Sequence, residues 1–312
     1  MSRILGIDTS NYTTSAALFD TVSGEMIQSK MLLPVKKGEK GIRQNDAVFH
    51  HTAQLPQVIS SLKAKCGGFY GIDAIGVSTR PRSMEGSYMP CFTVGSGTAH
   101  ILSEVLGVPL FECSHQEGHI AAALFSSGRL DLMNGRFIAF HVSGGTTEAL
   151  MVSGSGKGFK EKLIAASLDL KAGQAIDRTA VMLGLPFPGG IHLERLALEC
   201  GDSVKYKPTM KGCDCCLSGV ENKCRRLLEE GAPKEYIAKF CLTAVMNSII
   251  GMTDAILGQY GQLPLIYVGG VMSNGIMRRE ISARYSGANF AEPEFSCDNA
   301  AGVALLAAAG IS

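Results

Sequence analysis

The sequence lacks any cluster of positively charged residues. Its 29 Lys and Arg residues are nearly balanced by 28 Asp and Glu residues, and the formal net charge is +1 at pH 7. A protein that binds a nucleic-acid backbone directly needs Lys and Arg side chains to neutralise phosphates. This composition gives no general attraction to polyanions, so we expect any contact with nucleic acid to come from a local patch or from a partner protein.

Long apolar runs are also absent. The longest, residues 300–311, is shorter than the ~20 residues that a helix needs to cross a bilayer, so no membrane association is expected. A strand pattern begins already at Arg3, which leaves no room for a signal peptide, and we expect a cytoplasmic protein. With 312 residues, of which 46% are hydrophobic and 18% charged, the chain fits two well-packed domains of ~150 residues each.

Two familiar catalytic motifs are missing. Zinc peptidases with the motif His-Glu-x-x-His carry the acid directly after the first histidine. In this chain Gln116 follows His115, and Glu117 would lie about 200° round a helix from His115, which disfavours a metallopeptidase. A Walker motif is absent as well, because Gly156-Lys157 is followed by Gly158.

Cysteine is abundant, with ten residues at positions 66, 91, 113, 200, 213, 215, 216, 224, 241 and 297. In a cytoplasmic protein most of them are expected to be reduced thiols that pack as small hydrophobic side chains. Cys213, Cys215, Cys216 and Cys224 are dense enough to bind a soft metal or to form a redox pair. No second Cys-x-x-Cys pair completes a four-ligand spacing, so we favour the packing role.

Two histidines, His115 and His119, are four residues apart. This spacing brings both imidazoles to one face of a helix, where a single divalent metal ion could bind both. The alternative is a chance pair on an exposed helix. A metal site would need a third ligand from elsewhere in the chain.

Predicted strands and helices alternate in a pattern that occurs twice. The first copy has strands at residues 3–8, 14–19 and 25–33, a helix at 49–65, a strand at 74–79 and a helix at 92–106. The second has strands at 137–142, 147–153 and 160–164, helices at 177–183, 192–200, 220–230 and 234–260, a strand at 265–268, and helices at 275–285 and 299–309. Two copies of a βββαβα unit predict an α/β fold of two facing lobes with a nucleotide between them.

Turns after the strands point to phosphate binding. Ser143-Gly144-Gly145-Thr146 follows the first strand of the second copy, and Gly269-Gly270 follows a buried strand and precedes a helix. Glycine lets backbone N–H groups approach an anion because no Cβ atom is in the way. The corresponding turn of the first copy, residues 8–14, supplies hydroxyl groups and the carboxylate of Asp8.

Several motifs resemble those of one family over essentially the whole chain. They are Gly6-Ile7-Asp8-Thr9-Ser10, His115-x-Glu117-Gly118-His119, Val142-Ser143-Gly144-Gly145-x-Thr147, Ala172-Gly173-x-Ala175-x-Asp177-x-Thr179-Ala180, Pro188-Gly189-Gly190, Leu217-Ser218-Gly219, Gly269-Gly270-Val271-x-x-Asn274 and Pro293-Glu294-Phe295-x-x-Asp298-Asn299. In this order they resemble the tRNA threonylcarbamoyladenosine transferase family, which belongs to the actin-like ATPase fold.

The resemblance implies a fold, a set of ligands and partners. Residues 1–110 with the C-terminal helix 299–312 would form the N-terminal lobe, and residues 111–298 the C-terminal lobe with a helical insertion. One iron or zinc ion would be held by His115, His119 and Asp298. An adenine nucleotide or acyl-adenylate would contact His141, Val142, Ser143, Gly144, Gly145, Asp177, Gly190 and Asn274. Implied partners are tRNA and either a second copy or a related actin-like protein.

Departures from the family pattern concern the substrate region. The family's Ser-Cys-Asp-Glu-Thr turn is Ser10-Asn11-Tyr12-Thr13-Thr14 here, so both acids are lost, and its Gly-Pro-Gly turn is Arg80-Pro81-Arg82. We therefore take Asp8, Tyr12, Arg80 and Arg82 as catalytic or specificity candidates, since a guanidinium group binds carboxylate or phosphate with two hydrogen bonds. These changes are typical of a divergent paralogue.

The sequence thus predicts a metal-dependent carbamoyl-type transferase that binds an adenine nucleotide. The alternative is an ATP-binding paralogue that has lost transfer and acts through a protein partner or on another small acceptor. Loss of the acids at Tyr12 and Thr13 favours the alternative, whereas retention of the three metal ligands favours the enzyme.

Overall fold

A computed structural model describes residues 2–10, 12–34, 42–296 and 300–311. Its strands are β1 (Arg3–Ser10), β2 (Thr13–Asp20), β3 (Met26–Leu32), β4 (Ile72–Arg80), β5 (Leu110–Ser114), β6 (Arg136–Val142), β7 (Thr147–Gly154), β8 (Phe159–Ala166), β9 (Thr209–Lys211), β10 (Asp214–Cys216), β11 (Leu265–Val268) and β12 (Ala288–Phe290). Its α-helices are α1 (Gln44–Lys65), α2 (Phe92–Leu106), α3 (His115–Ser126), α4 (Ala172–Met182), α5 (Gly190–Glu199), α6 (Ser218–Glu229), α7 (Lys234–Tyr260), α8 (Gly275–Arg284) and α9 (Ala301–Ile311).

Two five-stranded sheets share one topology. The first has the order β3-β2-β1-β4-β5, and the second has the order β8-β7-β6-β11-β12. In the first sheet β1 pairs in parallel with β4, and β4 with β5. In the second sheet β6 pairs in parallel with β11, and β11 with β12. Strand β6 thus occupies the place of β1, which confirms the predicted α/β class and the duplicated pattern.

Helices cover both faces of the first sheet. Leu5 and Ile7 of β1 lie in one hydrophobic cluster with Leu55 of α1. On the other face α9 packs against the strand so closely that a Cβ atom at Gly6 would lie 2.5 Å from the carbonyl oxygen of Ala300. Because both faces are covered, residues 4–7 of β1 form a continuous apolar run rather than alternating with polar residues.

Contacts divide the chain into two compact units. The first contains Met1–Gly135, Ser153–Lys160 and Glu294–Ser312, and the second contains Arg136–Val152 and Glu161–Pro293. The boundary predicted after residue 110 differs from this division, which keeps β5 and α3 with the first sheet. The reason is that β5 pairs with β4, and α3 packs on α9.

Helix α7 is the central helix of the second unit's core. Among the helices in the described ranges it alone is long and apolar enough to cross a membrane, but 61% of its apolar stretch is buried inside the protein. Such burial is typical of a core helix. The apolar sequence of α7 is broken by Thr243, Asn247 and Ser248 as well as by Lys239 and Asp254, so it contains no apolar run as long as residues 300–311.

Several predicted boundaries need correction. Helices α2 and α7 and strand β11 match the prediction at both ends. Helix α1 begins at Gln44 rather than at residue 49, and α4 begins at Ala172 rather than at residue 177. Consequently Asp177 lies in the second turn of α4 and not at its start. Strand β5 is an element that the sequence pattern does not predict.

Candidate functional site

A buried carboxylate lies near the end of β1. The Asp8 side chain is completely buried and accepts hydrogen bonds from Ser10 Oγ at 2.5 Å and from Ser78 Oγ of β4. Its Oδ1 lies 3.2 Å from Nδ1 of His115. Burial raises the pKa of the Asp8 carboxyl, but the charge of His115 and these hydrogen bonds together outweigh burial, so the pKa lies below its ordinary value. Asp8 is therefore an anion near neutral pH.

The predicted histidine pair lies at the start of α3. The helix begins at His115, directly after the capping residue Ser114. Its i, i+4 spacing brings the two imidazoles together, with Nε2 of His115 and Nε2 of His119 2.9 Å apart. Nδ1 of His115 points the other way, to Asp8. The two rings and the carboxylate thus form one continuous polar chain.

This arrangement fits a metal ion on two counts. Bonds from zinc to histidine nitrogen are ~2.0–2.1 Å long, so one ion can reach two nitrogens that face each other at this separation. A histidine that binds metal usually donates its other N–H to a carboxylate, as His115 can to Asp8. The predicted third ligand, Asp298, lies outside the described residues. Within the ranges that the structure covers, no group of three or more potential ligands is found.

Glu117 has a structural role. Its Oε2 accepts hydrogen bonds from the Ser114 N–H at 2.8 Å and from Ser83 Oγ at 2.6 Å, and Ser114 Oγ accepts one from the Glu117 N–H. This reciprocal pair is a capping box that satisfies the first N–H groups of α3. Burial raises the pKa of the Glu117 carboxyl, but the hydrogen bonds lower it more. The carboxylate is thus held at the helix start.

In the second unit, the turn between β6 and β7 is open to ligands. The Ser143 N–H donates to the Thr146 carbonyl at 2.7 Å, which closes the turn around Gly144 and Gly145. Both glycines are exposed, and a Cβ atom at either one would meet no atom within 4 Å. An anion can therefore approach the backbone of this turn without meeting a side chain.

Helix α4 begins directly beside this turn. The Gly173 N–H donates to the Ser143 carbonyl at 3.1 Å, and the Ala172 N–H donates to Thr147 Oγ1 at 2.8 Å. A Cβ atom at Gly173 would lie only 2.6 Å from the Gly144 nitrogen, so this approach requires glycine. The open turn and the positive end of a helix dipole are thus adjacent, which is the arrangement that proteins use to bind phosphate.

Hydrogen bonds connect α4 to the start of α5, and α5 to the start of α8. Oδ1 of Asp177 accepts from the Gly189 N–H at 2.8 Å, directly before α5. Oε1 of Glu194 on α5 accepts from the Gly275 N–H at 2.8 Å, at the start of α8, and Asn274 caps α8 with its own side chain. Asp177 and Asn274, predicted as nucleotide contacts, therefore each make a hydrogen bond that holds the start of a helix in place.

The remaining predicted nucleotide residues lie at the ends of strands and at the start of a helix. Val142 ends β6, and His141 pairs with Val268 of β11. Gly269 follows β11 with a φ of +99°, and a side chain there would collide with the Val142 carbonyl. Gly190 is the first residue of α5. The structure thus brings the predicted residues of the second unit together along the carboxyl ends of β6 and β11.

Two of the candidates predicted in the first unit, Arg80 and Arg82, lie at and just after the end of β4. Arg80 ends β4 and pairs in register with Ser114, the residue before His115. Its Nη1 donates to Thr79 Oγ1 at 3.2 Å, and no salt bridge joins it to a carboxylate of the described residues. Arg82 lies in the following loop, where its N–H donates to Ser87 Oγ at 3.0 Å.

Tyr12 belongs to the turn after β1. It is half-buried, and its carbonyl accepts from the Leu33 N–H at 2.8 Å. Within the described ranges, no side-chain hydrogen bond connects Tyr12 to Asp8 or to the histidines. The structure therefore shows Tyr12 as part of the hairpin, and its chemical role stays a prediction.

The cysteines in the described part of the chain are free thiols. Cys215 is fully buried, and burial raises the pKa of its thiol to about 11. Burial also raises the pKa of Cys213. These shifts disfavour thiolates, which are the forms that bind metal or react with oxidants. The packing role thus fits Cys215 and Cys213 better than a metal or redox role.

Two supporting residues, Ser78 and Glu194, are not predicted from the sequence. Each uses a side-chain oxygen to hold a site element, with Ser78 on the Asp8 carboxylate and Glu194 at the start of α8. Thr147, which belongs to one of the family motifs, similarly holds the start of α4. A buried serine at the end of the apolar strand β4 is a signal that could have found Ser78. Glu194 gives no such signal, because its partner is 81 residues away.

Comparison with known proteins supports one family. The family model described as "tRNA N6-adenosine threonylcarbamoyltransferase" matches residues 22–305. A relative of that name from Thermus thermophilus is 29% identical and aligns over 97% of this chain and 91% of its own length. Another from Methanopyrus kandleri is 27% identical and aligns over 91% of this chain and 81% of its own length.

Solved structures agree on the fold. A full-length HypF in a phosphate- and nucleotide-bound form matches with a TM-score of 0.62 and 15% identity, over 99% of this chain and 55% of that one. Component A of the (R)-2-hydroxyglutaryl-CoA dehydratase of Acidaminococcus fermentans matches with a TM-score of 0.56 and 17% identity, over 99% and 100%. The chain therefore has the actin-like ATPase fold.

Proposed function

Because the chain belongs to the tRNA N6-adenosine threonylcarbamoyltransferase family, we propose that it is a carbamoyl-type transferase that uses an adenine nucleotide and a divalent metal ion. In the proposed reaction an amine of the acceptor attacks the carbonyl carbon of a carbamoyl-adenylate. A C–N bond forms, the bond from that carbon to the phosphate oxygen breaks, AMP leaves with the electron pair, and the amine loses a proton.

The observation that carries this proposal is the facing pair of Nε2 atoms 2.9 Å apart on His115 and His119. With Asp298 they would hold one iron or zinc ion. When bound, such an ion supplies positive charge that polarises a carbonyl or phosphate oxygen. Two nitrogens and one carboxylate leave positions on the ion free for this purpose.

The second unit would hold the nucleotide. Backbone N–H groups of Gly144 and Gly145 would donate to the phosphate, and the adjacent start of α4 would add the positive end of its dipole. Further contacts are proposed for four residues of the second unit: His141, Val142, Ser143 and Gly190. Asp177 and Asn274 would act by holding the starts of α5 and α8 in place.

Arg80 is proposed to select the transferred group. It lies beside Ser114 at the start of the histidine helix and makes no salt bridge to a carboxylate of the described residues. A threonylcarbamoyl group carries a carboxylate, and a guanidinium group binds a carboxylate with two hydrogen bonds. Replacing Arg80 with Lys should therefore raise the KM for the adenylate more than it lowers kcat, because Lys keeps the charge but not the fork.

A specific observation favours the alternative function. Tyr12 and Thr13 stand where the family's turn has its two acids, so neither position supplies a carboxylate to take the amine's proton. A nucleotide-binding paralogue without transfer would not need such a base. It would act through a partner, for which a second copy or a related actin-like protein is the proposed candidate.

Reconstitution separates the two functions. The purified protein is supplied with a source of threonylcarbamoyl-adenylate and unmodified tRNA, and modified adenosine is measured by mass spectrometry. We expect transfer to be slower than that of the Thermus thermophilus relative by about 10²–10⁴-fold, the usual contribution of general acid–base catalysis. His119→Ala should abolish it, whereas Gln116→Ala on the same helix should not.

Two results would revise this proposal. Turnover equal to that of the relative would show that Tyr12 and the Arg80 turn are tolerated, and that the chain is not a divergent paralogue. Complete absence of transfer, with nucleotide binding intact in calorimetry, would support the alternative and refute the transferase.

A further inference from the structure

The carboxylate of Asp8 and the ring of His119 contact opposite nitrogens of His115. Oδ1 of Asp8 lies 3.2 Å from Nδ1, and Nε2 of His119 lies 2.9 Å from Nε2. Asp8 is completely buried, and Ser10 and Ser78 both donate hydrogen bonds to it. These hydrogen bonds fix the position of the carboxylate, and the carboxylate in turn fixes the position of Nδ1 of His115.

These contacts assign the proton of the neutral His115 ring. Both oxygens of the Asp8 side chain already accept hydrogen bonds, Oδ2 from Ser10 and Oδ1 from Ser78, so the contact between Oδ1 and Nδ1 requires the proton on Nδ1. The other nitrogen, Nε2, then carries a lone pair, and this lone pair faces His119. Free neutral histidine prefers the opposite form, with the proton on Nε2. The assignment therefore depends on Asp8.

We propose that Asp8 is a positioning residue that keeps the proton of His115 on Nδ1 and thereby presents the Nε2 lone pair to a metal ion shared with His119. The metal itself belongs to the function proposed above, whereas the position of the proton is a property of the metal-free protein. The catalytic role predicted for Asp8 from the sequence stays a prediction, whereas the positioning role is argued from its burial and its contact with His115.

The proton position can be measured directly in the metal-free wild-type protein. Nitrogen-15 chemical shifts of the ring, recorded at rising pH until they no longer change, distinguish the two neutral forms from each other and from the cation. His115→Gln identifies the signals of this ring by their disappearance. We expect His115 to carry its proton on Nδ1. A ring with its proton mainly on Nε2 would overturn the proposal whether or not any variant folds.

Metal affinity tests the consequence. Asp8→Asn keeps the size of the side chain but removes its charge, and it should weaken binding of Zn²⁺ or Fe²⁺ by about 10–100-fold, as loss of an outer hydrogen-bond partner typically does. Ser15→Ala is the matched control, because Ser15 Oγ donates to the backbone carbonyl of Asp8 and not to its carboxylate. It should bind metal as the wild type does.

The outcomes separate this inference from the proposed function. Equal metal affinity in wild type and Asp8→Asn would refute the positioning role while leaving the metal site intact. Failure of the wild-type protein to bind either ion would refute the metal-dependent function. It would also refute the role of Asp8 in metal binding. An Nδ1 proton in wild type that is lost in a folded Asp8→Asn, together with weakened binding, would support both.

Discussion

Replacing Gly144 with valine tests whether the turn between β6 and β7 binds the phosphates of a nucleotide. A Cβ atom at this position meets no other atom within 4 Å, and Gly144 is not among the glycines with positive φ. The substitution therefore introduces neither a clash nor backbone strain in the free protein. We expect the free energy of unfolding to change little, within about 0.5 kcal/mol, as for other exposed positions.

The effect on nucleotide binding should be much larger. A branched side chain at position 144 would occupy the space from which a phosphate reaches the backbone N–H groups. Each hydrogen bond to a charged group contributes about 1.5–3 kcal/mol. Loss of one such bond corresponds to a weakening of about 10–150-fold in Kd, since 1.4 kcal/mol is a factor of ten.

Calorimetric titration with ADP and ATP measures this change. Gly258→Ala serves as the control, because Gly258 lies on the exposed side of α7 and a Cβ atom there also meets nothing. Both variants should unfold at the temperature of the wild type or close to it. If Gly144→Val binds ADP with the affinity of the wild type, the turn does not contact the phosphates and the proposed nucleotide site is wrong.

Three further predictions concern other parts of the chain. Elemental analysis of His119→Ala should show the loss of about one equivalent of metal relative to wild type, and an unchanged content would refute the proposed ligand pair. Gly302→Ala should lower the free energy of unfolding by about 1–3 kcal/mol in denaturant titrations, because its new methyl group would collide with the Gly118 carbonyl of α3, and equal stability would contradict this packing. Cys215, buried with a pKa of about 11, should resist alkylation by iodoacetamide at neutral pH until the protein unfolds, and rapid labelling of the folded protein would show that the site opens.

The sequence predicts elements best where their signals are local. Helix α2 ends at Leu106 and is followed by Gly107, which adopts the left-handed conformation typical of a helix end. Both ends of α2 match the prediction. The starts of α1 and α4 are missed because the residues before them, Arg43 and Lys171, lack a side chain that can accept a hydrogen bond from the helix. The first N–H groups of α4 instead donate to Ser143 and Thr147, which are distant in sequence.

The same distinction applies to the candidate site. The spacing of His115 and His119 is a local signal, and the structure places their rings together as the spacing predicts. The contact of His115 with Asp8 joins residues 107 positions apart, and no periodicity indicates it. Resemblance to a family names Asp177 as a ligand, whereas only the structure shows that its carboxylate holds the start of α5.

The duplicated topology shows where the two units have diverged. Strands β1 and β6 hold the same place in their sheets, as do β4 and β11. Asp8 lies within β1 near its carboxyl end and Arg80 ends β4, whereas Gly144 and Gly269 follow β6 and β11. The turn after β1 joins Ser10 to Thr13, but the turn after β6 is longer and runs from residue 143 to residue 146. The second unit therefore exposes backbone groups of Gly144 and Gly145 that suit a phosphate, whereas the first unit keeps the Asp8 carboxylate buried against His115. The two units share a sheet topology and differ in the chemical groups at the ends of corresponding strands.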